Sequence, residues 1–206
     1  MVECHIFATM TPQKPVFDSL PPCGEESRML YAGVGSRKAP PEVLASMTRL
    51  AAWLMSRGYT LRSGAAAGAD QAFEAGAGHM KEIFPGGRPA GDREHAVARE
   101  LHPNPQALDR SRHSRYVWNL MARNTNQVFG ADLGSPVDFL VCWTPDGAEH
   151  WSERTQATGG TGQAIEMASR KGIPVVNMAR PGWRERILGI VGAKPAAGGN
   201  TASRDT

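Results

Sequence analysis

The sequence predicts an α/β domain, a three-layer sandwich with a mainly parallel central sheet. Three observations predict it. Short apolar runs alternate with stretches of helical period along most of the chain. One run, Val137–Trp143 (VDFLVCW), is apolar almost throughout, as befits a strand buried on both faces. Three strand-to-helix junctions are rich in glycine. The length of 206 residues suits one domain with tails.

The elements follow in chain order. Residues 1–27 are rich in proline and polar residues without a sustained period, and are expected to form an extended arm. The domain proper is expected over 28–192. Met29–Gly35 (MLYAGVG) reads as a buried strand ending in glycines. Pro40 and Pro41 set a helix start, where a missing N–H does no harm. Val43, Leu44, Met47, Leu50, Ala51 and Leu54 then recur at helical spacing up to Gly58. Tyr59–Ser63 is a second strand, Gly64–Ala69 a loop, and Asp70 begins a helix reaching about Ala77. Lys81–Phe84 is a third strand, stopped by Pro85-Gly86-Gly87. The stretch from Gly86 to about Pro105 reads as irregular or weakly helical. Ser111–Gly130 is a helix with an apolar stripe of Val117, Leu120, Met121 and Val128. After the strand at Val137–Trp143 come a long connection, a helix over Gly160–Lys171, a strand over Ile173–Asn177 and a helix over Trp183–Val191. The last residues, 193–206, are small and polar, the composition of a flexible tail.

Composition narrows the function classes. A net charge of +3 permits a phosphate-bearing ligand without demanding nucleic acid. No apolar run approaches the length of a membrane span, and the N-terminus lacks a signal-peptide pattern. Cys4, Cys23 and Cys142 have no metal spacing and read as free thiols of a reducing cytoplasm, with a Cys4–Cys23 disulfide as the alternative. No His, Cys and acidic set has metal-ligand spacing, and nothing in the sequence specifies a cofactor.

The chemistry concentrates at the glycine turns. The first is Gly33-Val34-Gly35-Ser36-Arg37, where glycine admits a phosphate close to the backbone and the following helix offers free N–H groups. It departs from a dinucleotide fingerprint: Lys38 stands at the third glycine position, and the second strand ends in Arg62-Ser63-Gly64 instead of an acid for the ribose. The second turn runs from Ser63 and Gly64 through Gly68 to Asp70. Asp70 is expected chiefly as a helix cap, with contact to ribose or base as the alternative. The third is Thr158-Gly159-Gly160-Thr161-Gly162-Gln163, with Glu166 a turn further on. One such turn is weak evidence, whereas three that converge would make a phosphate cradle.

These motifs carry a resemblance. The first two turns resemble the Rossmann domain of DNA-processing protein A (Smf), with Ala65 and Ala67 standing where that family has a glycine and an arginine. The third resembles the PGGxGTxxE motif of the LOG (Lonely Guy) phosphoribohydrolases, matched at Gly159, Gly160, Gly162 and Glu166, with Thr158 for the proline and Gln163 for the threonine. Both families lie in the SLOG superfamily. The resemblance implies a Rossmann-like fold, a nucleotide or nucleotide-derived ligand, and a homodimer. It also pairs Glu166 with an arginine of the preceding helix, here Arg123, to hydrolyse a nucleotide N-glycosidic bond.

From the residues themselves, a carboxylate and an arginine are the types that stabilise an oxocarbenium-like sugar and hold its phosphate. Asn119, Arg123 and Gln127 share one helix face. Asn124 falls on the apolar stripe, where an amide needs partners. Trp143, His150 and Trp151, in or beside the long connection, are candidates for stacking on a base, and His113 sits in a small basic cluster. Three readings therefore stand: a nucleotide-binding N-glycosidase, a nucleotide sensor without turnover, and a single-stranded-DNA binder.

Overall fold

In the computed structural model, which describes residues 16–17, 29–87, 89–102, 105–110 and 112–193, the chain builds β1 (Leu30–Gly33), α1 (Pro41–Ser56), β2 (Thr60–Ser63), α2 (Ala69–Ala77), β3 (Lys81–Ile83), α3 (Asp92–Leu101), α4 (Pro105–Asp109), α5 (Ser114–Phe129), β4 (Phe139–Cys142), α6 (Thr161–Arg170), β5 (Val175–Asn177) and α7 (Trp183–Ala193). The strands form one sheet in the order β3-β2-β1-β4-β5, and every pairing is parallel. This is the Rossmann-like sandwich expected from the alternation of apolar runs and helical stretches.

The sheet is buried on both faces because its strands carry apolar side chains at successive positions. Tyr31, Leu61, Phe139 and Val141 face α1, α2 and α7, where Met47, Leu54, Phe73 and Ile187 complete one core. Leu30, Ala32, Leu140 and Cys142 face the opposite layer, where Val97 of α3, Val128 of α5 and Ile165 of α6 complete the other. Burial pushes the Cys142 thiol far up, so it stays protonated as a core residue. Cys4 and Cys23 lie outside the described residues, as does most of the expected arm and tail. Of the arm, Phe17 is buried against Phe129, with ring centroids 6.4 Å apart, and its N–H donates to Glu100 at 3.2 Å.

The structure differs from the sequence expectation in the middle of the chain. The stretch expected to be irregular or weakly helical holds a regular ten-residue helix, α3. Only Val97, Ala98 and Leu101 of it are buried, so its apolar stripe is too narrow to show against its charged residues. The helix expected from Ser111 begins at Ser114, preceded by the short α4, and it ends at Gly130, whose φ is +81°. Among the described residues no helix is long and apolar enough to cross a membrane.

α1 and α2 approach so closely that α2 needs glycine at 76. A methyl group there would press on the Thr48 carbonyl and lie 2.8 Å from Ala51 Cβ. The hydroxyl of Thr48 donates to Ala72 O across the same seam at 2.9 Å. Gly76→Ala is therefore expected to destabilise the fold by about 1–3 kcal/mol through overpacking, although alanine is the better helix former by about 1 kcal/mol. Urea denaturation of the two proteins checks this. A variant as stable as the parent would show that the helices separate freely.

Candidate nucleotide-binding cleft

β1 and β4 are neighbours in the sheet, yet the chain leaves β1 toward β2 on one side and reaches β5 from β4 on the other. This is the topological switch point, where the loops after the two strands diverge and leave a crevice. A cleft of about 340 Å³ lies there. Ser36, Arg37 and Lys38 of the first turn line it, as do Ala66 and Asp70 of the second and Gly159, Gly160 and Thr161 of the third. Its wall is α5, through Arg123, Asn124 and Gln127.

The glycines divide into two groups. Those of the first two turns make room for protein. A Cβ on Gly33 would lie 2.7 Å from Leu61 Cδ1 and from the Phe73 ring, and one on Gly35 would lie 2.8 Å from Ala69 Cβ. One on Gly68 would lie 2.8 Å from the Arg37 Cα, so the first turn rests directly on the second. One on Gly64 would overlap the Gln127 amide and the Arg123 guanidinium. Gly162 makes room for Arg154, whose Nε would lie 2.8 Å from a Cβ there. Gly159 and Gly160 are different: nothing lies within 4 Å of a Cβ built on either. Gly159 has φ +59°, a conformation natural only to glycine. The bare backbone thus sits at the start of α6, which no side chain caps, so its first N–H groups keep their partial positive charge.

Ser36 is partly committed. Its N–H donates to Trp143 O at 3.2 Å, and its hydroxyl accepts from Lys38 N at 3.1 Å. Arg37 and Lys38 are exposed and form no ion pair among the described residues. Arg123 is half-buried. It donates to Gly64 O and reaches Asp70 Oδ2 at 4.0 Å, and burial pulls its pKa down. Four buried side-chain atoms of the second turn and of α5 have no hydrogen-bond partner among the described residues: Ser63 Oγ, Arg123 Nε, Thr125 Oγ1 and Gln127 Nε2.

Asp70 is not the helix cap expected. α2 begins one residue earlier, behind Gly68, and has no side-chain cap. The Asp70 carboxylate turns back and accepts from Ala66 N at 3.2 Å, bracing the second turn. The residue is 3% exposed. Burial pushes its pKa up to about 6, against the pull of the Ala66 N–H and the Arg123 guanidinium. Its ordinary value is 3.8, so folding favours the protonated form. The associated stability is complete below the unfolded value and is lost as pH rises through 6, a swing of about 3 kcal/mol. Asp70→Asn keeps the acceptor for Ala66 without the charge. It is expected to melt several degrees above the parent at pH 8 and to flatten the pH dependence between about 4 and 6. Melting curves across that range test it, and a parent whose stability rises from pH 4 to 7 would contradict the assignment.

The structure does not bring Glu166 and Arg123 together. Glu166 is 5% exposed but does not line the cleft. Its carboxylate is held by Arg154 and, at 2.8 Å, by Arg170. Arg154 comes from the connection 144–158, which carries short 3-10 turns at Trp151–Glu153 and Gln156–Thr158. That connection is pinned by Asp146, which accepts from the Thr155 hydroxyl at 2.6 Å and from the Thr158 hydroxyl. Burial opposes ionisation of Asp146, but those hydroxyls and the Ala148 N–H hold its carboxyl well below the usual range. Asn124, expected to need a partner, donates to Gln163 Oε1 at 3.2 Å. Of the stripe proposed on α5, Arg123 and Gln127 line the cleft and Asn119 does not. Trp151 lies under Arg170, 4.6 Å from its guanidinium carbon to the ring centroid, rather than in the cleft. Among the described residues no group of His, Cys, Asp and Glu is placed to hold a metal ion.

Sequence reasoning assigned no role to Arg154 or Gln163. Gln163 had a signal, since a buried helix turn with a polar side chain demands a partner. Arg154 had none, because the connection carrying it has no period.

No protein-family model matches the chain, and no curated protein matches it. Among solved structures, DNA processing protein A from Helicobacter pylori, described as binding single-stranded DNA, is similar at a TM-score of 0.47 and 14% identity, over 86% of this chain and 75% of that one.

Proposed function

We propose that this chain binds a nucleotide or nucleotide-derived phosphate in the switch-point cleft. One observation carries the reading: the three turns converge on one cleft, with Arg37, Lys38 and Arg123 around it and the uncapped start of α6 on its floor. Cations and free N–H groups are what a phosphate needs, and the volume is in the range of small-ligand sites. Asp70, the acid in this wall, is largely neutral below about pH 6, so it opposes an anion only at higher pH. The commitment of Glu166 to two arginines outside the cleft favours binding without turnover over hydrolysis of a glycosidic bond.

Calorimetric titration with ribose 5-phosphate and nucleoside monophosphates tests this, followed by chromatography of the mixtures for released base. The expected result is saturable binding, reduced at least about tenfold in an Arg37→Ala, Lys38→Ala double variant, with no base released. Absence of binding by every phosphate compound would overturn the reading, and base release would restore the hydrolytic one.

A second reading has its own observation. A groove continues from Arg37 and Arg123 past Gly64–Ala67 to Tyr116, which is 57% exposed. An exposed aromatic ring beside cations is how single-stranded nucleic acid is tracked. Labelled oligothymidylate should then bind with a steep salt dependence and lose affinity in Tyr116→Ala.

A further inference from the structure

Behind the ridge of Gly159 and Gly160 lies a second, smaller chamber of about 190 Å³, which shares those glycines and Met121 with the switch-point cleft. One side is apolar, formed by Leu101 and Met121, with His102 set edge-on against Trp118 at 5.3 Å. The other is polar, formed by Arg154, Thr155 and Gln163. Gln163 is 4% exposed. Its Oε1 accepts from Asn124, which itself lines the main cleft, while its Nε2 has no partner among the described residues. A buried amide donor left unpaired is costly, and such a group in a chamber wall is the mark of a ligand acceptor. Arg154 supplies further donors, kept in place by the buried Glu166 and by the space that Gly162 leaves.

Given the phosphate reading of the main cleft, on which this inference rests, we propose that the chamber receives the heterocyclic base of the same nucleotide and that Gln163 selects a base presenting a carbonyl oxygen, an oxopurine over an aminopurine. In this arrangement the flat ring lies between the apolar wall and the glycine ridge. A carbonyl at its edge completes the Gln163 amide, whereas an amino group there sets donor against donor. Glu166 is then a positioning residue for Arg154, remote from the phosphate.

Inosine and adenosine monophosphates differ in this feature and otherwise share most of their shape. Calorimetric titration of the full chain is expected to show the inosine compound binding at least about tenfold more tightly than the adenosine one, with ribose 5-phosphate weaker than the inosine compound. Gln163→Glu replaces the donor with an acceptor while keeping the shape. It should abolish or reverse the preference between the two monophosphates, which is read as the ratio of their affinities within each protein. Equal affinities for the two monophosphates in the parent overturn the proposal without any variant, as does a preference that survives Gln163→Glu. If ribose 5-phosphate binds but the base makes no difference, the chamber assignment alone fails. If no phosphate compound binds, the cleft reading fails with it.

Discussion

Replacing Arg123 with methionine is expected to weaken binding of a 5′-monophosphate by about a hundredfold, since truncating one member of a buried charged network typically costs about 2–5 kcal/mol. The side chain does three things at once. Its guanidinium lies over Gly64, where no Cβ fits. Its guanidinium donates to Gly64 O and faces Asp70 at 4.0 Å. Its Nε is buried and unpartnered among the described residues, while the residue itself lines the cleft. Methionine keeps the stem and loses the rest. The Gly64 carbonyl loses its donor, and Asp70 loses the cation that restrains its pKa, so that value should climb above about 6. Arg123→Lys separates charge from shape: a lysine keeps the charge but not the planar fork, and should recover part of the affinity. Calorimetry on the three proteins, with melting curves as the control for folding, checks the expectation. Undiminished affinity in Arg123→Met would remove α5 from the site.

How far the sequence revealed this site depends on which force fixed each residue. The sheet and its helices follow from apolar periodicity, because burial on both faces of β1 and β4 is a property of the residues in those strands. The convergence of the turns follows from topology, since parallel strands deliver their following loops to one edge. The roles of the glycines were not legible. Gly33 and Gly35 look like phosphate glycines in sequence, yet one makes room for Phe73 and the other for Ala69, contacts with residues more than thirty positions away. Ala65 adopts φ +57°, a left-handed conformation that the second turn holds at the expense of some backbone strain. Asp70 misled for a local reason: α2 starts a residue earlier, and that shift turns a cap into a brace for the loop behind it. Glu166 misled for a distant one. Its direction is set by Arg154, which no periodicity in the connection could announce.

The largest effect on stability is expected at Asn177, which ends β5 and is fully buried. Its amide oxygen accepts from Thr144 N at 3.3 Å and Ala179 N at 3.1 Å, and its amide nitrogen donates to the Thr144 hydroxyl at 2.7 Å and to Ala148 O at 2.9 Å. β4 and β5 run side by side with Cys142 opposite Asn177, so one side chain fastens the exits of both strands. The chain leaving β4 there is the connection that carries Arg154 and delivers Gly159 and Gly160 to the cleft. Asn177→Ala opens a small void and leaves buried N–H and C=O groups without partners, at about 1–3 kcal/mol for each group left unsatisfied. A net loss of about 3–5 kcal/mol is expected, lowering the melting temperature by about 10 °C for a chain of this size. Asn177→Asp restores the acceptor and not the donor, and faces Ala148 O with a carboxylate. It should be no better than the alanine variant at neutral pH. Because the glycine ridge hangs on the same connection, monophosphate affinity should fall in the folded fraction as well, and amide exchange over 144–158 should quicken before the rest of the sheet. A melting temperature within about 2 °C of the parent would mean that Asp146 and its threonine partners hold the connection without Asn177, and the ridge would then be anchored from within its own loop rather than from the sheet.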